Sequence, residues 1–231
     1  TNTGTHCSIS GAYNQTNSGT YCIIGGSSNS GNCGNHCIIG GNYNLNNTGN
    51  FTSISGANNY SNSGSYCTIF GKSNNTNSGT HCSISGNSAS SNALDYARVH
   101  GGNSNARIID LVAQIDSTGA GAVELLLGGS GGTQIIIPDQ SAWAVEVHFV
   151  AKTATGVNAS MQVFHGLLAR ETTTTTWAAN AVQAAQVDIG TTNATFTIDT
   201  DAATEALKLN CTVSMGTCRA VARVHLTQVD Y

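Results

Sequence analysis

The first hundred residues repeat every fifteen, and the register never slips. His6, Tyr21, His36, Phe51, Tyr66, His81 and Tyr96 are fifteen apart, and a small residue follows each: Cys7, Cys22, Cys37, Thr52, Cys67, Cys82 and Ala97. Two places further on stand Ile9, Ile24, Ile39, Ile54, Ile69, Ile84 and Val99. Gly11, Gly26, Gly41, Gly56, Gly71, Gly86 and Gly101 close each unit. A period this short, without a helical apolar pattern, leaves few folds. One unit cannot bury its own apolar face, so successive units must stack as coils of a β-solenoid.

Strand alternation puts Cys82 and Ile84 on one face and His81, Ser83 and Ser85 on the other. The first face is apolar in every copy and is the expected inside. Its ladder is Cys7, Ile9, Cys22, Ile24, Cys37, Ile39, Ile54, Cys67, Ile69, Cys82, Ile84 and Val99. The other face varies through Ser8, Ile23, Ile38, Ser53, Thr68, Ser83 and Arg98, so it is partly solvated or lies against a neighbouring chain. Gly4, Gly19, Gly34, Gly49, Gly64 and Gly79 recur, as do Asn14 and Asn17 with their fifteen-residue images. Gly and Asn tolerate positive φ, so these positions are read as corners. Stacked Asn amides also bond to one another along the rod.

Eight cysteines would ordinarily suggest disulfides, but five occupy one repeat position, which also accepts Thr52 and Ala97. That position needs a small side chain of little polarity, a role free Cys fills. Parallel side chains also give poor disulfide dihedrals. The rest of the composition narrows function. Only 9% of residues are charged and the net charge is −4, so no basic footprint points to nucleic acid. No apolar run is long enough for a membrane-spanning helix. Before Asp95 the only Lys, Arg, Asp or Glu is Lys72. The chain starts within a repeat at Thr1, so the expectation is a fragment whose N-terminal anchoring segment is missing.

A lone rod would leave the aromatic and Ile positions of its second face exposed, whereas three rods about an axis cover them. A homotrimer is therefore expected. The segments Thr5–Gly11, Thr20–Gly26, Asn35–Gly41, Asn50–Gly56, Ser65–Gly71, Thr80–Gly86 and Asp95–Gly101 resemble the head repeat of trimeric autotransporter adhesins. They are still more similar to Asn/Gly repeats in fibre proteins of tailed phages and large algal viruses.

Composition changes near Gly102. The expected organisation is a solenoid shaft over residues 1–102, a linker over 103–106 and an all-β sandwich or jelly-roll domain over 107–231. Trp143, Val145, Val147 and Phe149 alternate with Ala144, Glu146 and His148, and similar alternation surrounds Phe196 and Arg223. Turn signals fall at 128–132, 153–158, 190–193 and 214–216, giving eight or nine strands. Ile137-Pro138, Ser141-Ala142-Trp143-Ala144, Leu168-Ala169-Arg170 and Leu226-Thr227-Gln228-Val229 resemble a recurrent C-terminal domain of phage fibres. The Trp usual in its last strand is absent, and Arg219-Ala220 stands there.

Candidate sites are few. His6, His36 and His81 could ring a trimer axis around an ion, but Tyr and Phe share their position, so an aromatic role is expected. Asp199, Asp201 and Glu205 form an acidic segment, read as turn acids rather than a calcium loop. Cys211 and Cys218 would face each other on a hairpin, as a disulfide or as two buried thiols. The Thr172–Thr176 run reads as a polar loop ending in Trp177. Trp177 with Thr174, Thr175 and Thr176 is either a sugar-stacking receptor site or an aromatic plug at an edge or interface. Asn-x-Ser/Thr sequons occur at Asn14, Asn46, Asn50, Asn59, Asn74, Asn158 and Asn193, as expected by chance in so Asn-rich a chain.

No motif pairs two carboxylates for glycan cleavage, and no nucleophile or phosphate-loop motif is present, so no enzyme, cofactor or metal is expected. The resemblances imply a trimeric virion fibre that docks on other virion proteins through the missing N-terminal segment and whose C-terminal domain attaches to a host-surface receptor, a carbohydrate. The alternative is a trimeric adhesin on a cell surface.

Overall fold

The structure, a computed structural model, describes residues 2–89, 92–103, 106–118, 121–153, 159–171, 174–189, 194–201, 203–213 and 217–230. It is all-β, and none of its helices is long and apolar enough to cross a membrane, because the described residues contain strands and turns only. The chain forms two compact units, Thr1–Arg107 and Ile108–Tyr231.

The first unit is a β-solenoid. Its strands are β1 (Ser8–Ile9), β2 (Ile23–Ile24), β3 (Ile38–Asn42), β4 (Ser53–Ala57), β5 (Thr68–Lys72), β6 (Ser83–Asn87) and β7 (Arg98–Asn103). They pair in parallel and in register, Ile24 on Ile39, Ile39 on Ile54 and so on through Ile84 on Val99. Cys22, Ile24, Cys37, Ile39, Ile54, Cys67, Ile69, Cys82, Ile84 and Val99 are buried, while Cys7 and Ile9 in the first coil are half-buried. The thiols are free, and each donates to a backbone oxygen of the next coil, Cys37 to Gly49 O at 3.1 Å and Cys67 to Gly79 O at 3.2 Å. Thr52 replaces a thiol with a hydroxyl that reaches Gly49 O at 3.2 Å.

The corners differ from the sequence reading. The residues with positive φ stand one place before the inward side chains: His36 before Cys37, Tyr43 before Asn44 and Asn46 before Asn47, at φ of 54–55°. The Asn ladders themselves point inward. Asn29, Asn44, Asn59 and Asn74 have no exposed surface. Each Oδ1 accepts the backbone N–H of the residue one coil on, Asn44 N to Asn29 Oδ1 at 3.0 Å, Asn47 N to Asn32 Oδ1 at 3.1 Å and, where the Asn ladder stops, Ala89 N to Asn74 Oδ1 at 2.8 Å. The amide supplies the hydrogen bonds that a strand would otherwise make, so a coil can turn three times in fifteen residues without orphaned backbone groups. Both glycine ladders are required by space: a Cβ would lie 2.0 Å from Gly64 O at Gly49 and 1.8 Å from Gly71 O at Gly56, which also takes φ of 127°.

The aromatic position is also a corner and not part of the strand. His6, Tyr21, His36, Phe51, Tyr66, His81 and Tyr96 all have φ of 54–59°. Their rings stack in one unbroken column, with centroids 4.7–5.1 Å apart and planes within 11° of parallel. That spacing is the separation of adjacent strands.

The second unit contains β8 (Ala106–Thr118), β9 (Gly121–Glu124), β10 (Leu126–Leu127), β11 (Ile135–Ile136), β12 (Ser141–Thr153), β13 (Ala159–Glu171), β14 (Thr174–Ile189), β15 (Ala194–Asp201), β16 (Ala206–Val213) and β17 (Thr217–Asp230). The larger of its two sheets runs β8-β17-β12-β13-β14, with β10 beside β8. The smaller runs β11-β16-β15, with β9 on β16. The pairings of β10 with β8, of β12 with β13 and β17, of β13 with β14, and of β16 with β9, β11 and β15 are antiparallel. Phe149 of β12 stacks on Phe196 of β15 at 4.5 Å, which joins the sheets through a core of Trp143, Val147, Leu168, Leu209 and Val224. Of the expected linker, Asn103 and Ala106 are strand ends, and residues 104 and 105 lie outside the described residues, as do the turns 154–158, 190–193 and 214–216.

The residues that carried the C-terminal resemblance meet at one structural joint. Ser141 donates to Pro138 O at 2.7 Å, and Ser141 pairs with Arg170 across β12 and β13. Arg170 donates to Ile137 O and forms an ion pair with Glu205, which lies just before β16. The guanidinium thus ties the larger sheet to the smaller, and the motif is architectural.

Candidate functional site

The outward face of the larger sheet carries a row of titratable side chains drawn from four adjacent strands. Even-numbered residues of β12 and odd-numbered residues of β13 and β17 face solvent, so alternation places Glu146, His148, His165, Arg223 and His225 on one surface. Register brings them together. Glu146 pairs with His165 on one side and His225 on the other, and His148 pairs with Arg223. Asp110 of β8 completes the row, accepting from His225 Nδ1 at 2.9 Å and from Arg223 Nη2 at 3.3 Å.

Glu146 is the centre. One carboxylate oxygen is bonded to His148 Nε2, and the other lies 3.7 Å from His165 Nε2. The hydrogen bond from His148, with the nearby His165 and His225, holds the Glu146 carboxyl below its ordinary range. Burial would raise Asp110, but the bonds from His225 and Arg223 outweigh it and its carboxyl is also lowered. Both carboxylates therefore keep their charge further into acid than free side chains do. Beside the row the sheet surface dips, because the neighbouring positions carry small residues. Ala144, Gly166 and Thr227 form the hollow, and Glu146, His165 and His225 stand at its wall. The pairing of β13 with β14 is irregular on both sides of Gly166, a bulge of the kind that re-aims neighbouring side chains. Among the described residues no group of three His, Cys, Asp or Glu side chains is placed to hold a metal ion.

The sites expected from sequence fall elsewhere. Thr174, Thr175, Thr176 and Trp177 do not form a loop. They begin β14, paired in order with Glu171, Arg170, Ala169 and Leu168. Thr is β-branched and suits a strand, and Leu168-Ala169-Arg170 supplies the antiparallel partner. Thr172 and Thr173 lie outside the described residues. Cys211 and Cys218 are not on one hairpin, since β16 and β17 belong to different sheets. Both are buried free thiols within hydrogen-bonding reach of each other, and burial, with the neighbouring thiol, pushes Cys211 up to about 12. His6, His36 and His81 are members of the ring column, each separated from the next His by at least one Tyr or Phe. The acidic segment divides among separate partners. Asp199 accepts from Thr200 N, Asp201 from Ala203 N at 2.9 Å, and Glu205 pairs with Arg170.

The sequence reading missed the Glu146 row entirely. Its signal was present only as His and Glu on the polar side of two alternating strands. The register that unites them is set by contacts some 20 to 115 residues apart in the chain.

No protein-family model matches the chain, and no curated protein matches it. Among solved structures it is similar to the tailspike protein of Acinetobacter baumannii phage AM24, with a TM-score of 0.32 and 9% identity over 94% of this chain and 50% of that one. It is also similar to the tailspike protein of Acinetobacter phage vB_ApiP_P1, with a TM-score of 0.27 and 9% identity over 96% of this chain and 53% of that one. The chain spans about half the length of these structures.

Proposed function

We propose that this chain is part of a homotrimeric virion fibre, most simply the tail fibre of a phage, whose C-terminal unit attaches to a carbohydrate on the host surface. The observation that carries the reading is the in-register solenoid with its exposed ring column. Tyr21, Ile23, Ile38, Phe51, Tyr66, Phe70 and Tyr96 are each 43–63% exposed along one unit that has almost no charge. At roughly 100 Å² per half-exposed aromatic residue, the four Tyr and Phe rings of the column present about 400 Å². That is the size of the largest patch usual on a monomer, which often marks an interaction site, and Ile23, Ile38 and Phe70 are further exposed apolar residues of the same unit. Copies of the same chain share its axial period and match it step for step, so a trimer is the natural cover.

The division of labour follows from surface chemistry. The solenoid repeats one surface, which serves length and rigidity. The C-terminal unit carries the varied ionisable surface that recognition needs. Weak sites repeated in a trimer, and fibres repeated on a particle, give avidity gains of ~10²–10⁴. The resemblance of the repeats and of the Pro138, Trp143 and Arg170 motifs to phage fibres supports a virion over a cell surface. Antibodies raised against the chain and imaged on purified particles by immunogold electron microscopy test the placement. Label on particle appendages is expected. Label confined to cell envelopes would instead favour the trimeric cellular adhesin.

A further inference from the structure

We infer that the hollow beside Glu146 is a saccharide site, specific for a neutral sugar. The inference rests on the attachment reading above and gives it a location. Three observations lead to it. First, Ala144 and Gly166 leave a depression beside the longer Glu146, His165 and His225 side chains, and Thr227 adds a hydroxyl at its edge. Second, the wall is made of groups that hydrogen-bond to hydroxyls. The Glu146 carboxylate accepts at two oxygens, so it can take an adjacent pair of sugar hydroxyls, and His165 offers a ring nitrogen on the same side. Third, these groups are held yet available. Glu146 and His165 remain 45% and 58% exposed, while Asp110, Arg223 and His148 engage and orient the neighbours of the hollow.

Charge sets the class of sugar. Glu146 stays ionised, and the nearest guanidinium, Arg223, faces Asp110. The charged and titratable groups around Glu146 are His148 on its own strand, His165 on β13, and His225 and Arg223 on β17, with Asp110 beyond them on β8. With Arg223 paired to Asp110, the Glu146 carboxylate leaves the wall anionic and repels carboxylated sugars. Neutral hydroxyls are accepted without that penalty.

The test uses the full chain on an array of neutral and acidic oligosaccharides at pH 8, together with adsorption to host cells. Glu146→Gln keeps the shape and removes the charge, and His165→Ala opens the wall. Both lie on the exposed face, and Lys208→Ala on the other sheet serves as control. The expected result is binding to neutral glycans that falls about tenfold or more in each site variant and is unchanged in the control. Glycan binding that survives both variants would overturn the site and leave the attachment reading standing, as would binding lost only in Trp177→Ala. Binding restricted to acidic glycans would overturn the neutral-sugar assignment. Cell adsorption without any glycan binding would overturn the saccharide inference. Absence of both would overturn the attachment reading itself.

Discussion

Single positions in the solenoid fall into those fixed by space and those fixed by pattern. A Cβ at Gly49 would lie 2.0 Å from a backbone oxygen that cannot move without opening the coil spacing, whereas a Cβ at Gly40 meets nothing within 4 Å. Gly49→Ala should therefore cost at least about 3 kcal/mol. Gly40→Ala should stay within about 0.5 kcal/mol of the parent, and chemical denaturation measures both. The thiol ladder makes a parallel case. Cys37→Ala should cost about 1–2 kcal/mol through lost packing, and Cys37→Asp should disrupt its coil, because a buried carboxylate there has no cation. In the native protein the exposed Cys33 should react with alkylating reagents at once, while Cys22, Cys37, Cys67 and Cys82 resist. Prompt labelling of the buried four would contradict their placement. The inward ladder was legible because period and alternation point the same way. The left-handed aromatic corners were not, since bulky residues seldom take positive φ; the coil path imposes that conformation, and the other corners place Ser28, Asn46 and Thr76 in it too.

At the scale of elements, the two sheets depend on a small number of polar ties. Arg170 is only 12% exposed, bonds to Ile137 O and pairs with Glu205, so Arg170→Ala should lower stability of the C-terminal unit by about 2–3 kcal/mol. Melting temperature reads this directly. The Glu146 row gives a pH signature. Its carboxyl is depressed in the folded state, so the ionised form favours folding. That contribution is present above the ordinary carboxyl range of about 4 and disappears as pH falls through the lower folded value. Asp110 acts in the same direction. The double variant Glu146→Gln, Asp110→Asn should accordingly show a shallower loss of melting temperature between pH 5 and pH 2, and an unchanged slope would exclude the row as its source. Strands β12 and β17 were legible from alternation. Strand β14 was not, because a run of Thr reads equally as polar loop or as β-branched strand, and only its pairing with β13 decides between them. The row on the outward face lay beyond sequence reasoning for a related reason: alternation names a face, but not which residues of distant strands share it.

For the molecule as a whole, the fifteen-residue period specifies a solenoid almost by itself, whereas composition shifts near Gly102 and the second compact unit starts at Ile108. What neither period nor composition contains is the partner that covers the ring column. In the proposed trimer that role falls to two further copies of the chain, and the avidity of attachment depends on them. Sedimentation equilibrium of the full chain at micromolar concentration tests it most directly. The predicted result is a single species of three times the 23.6 kDa chain mass, held across a tenfold dilution. A stable monomer under those conditions would contradict it.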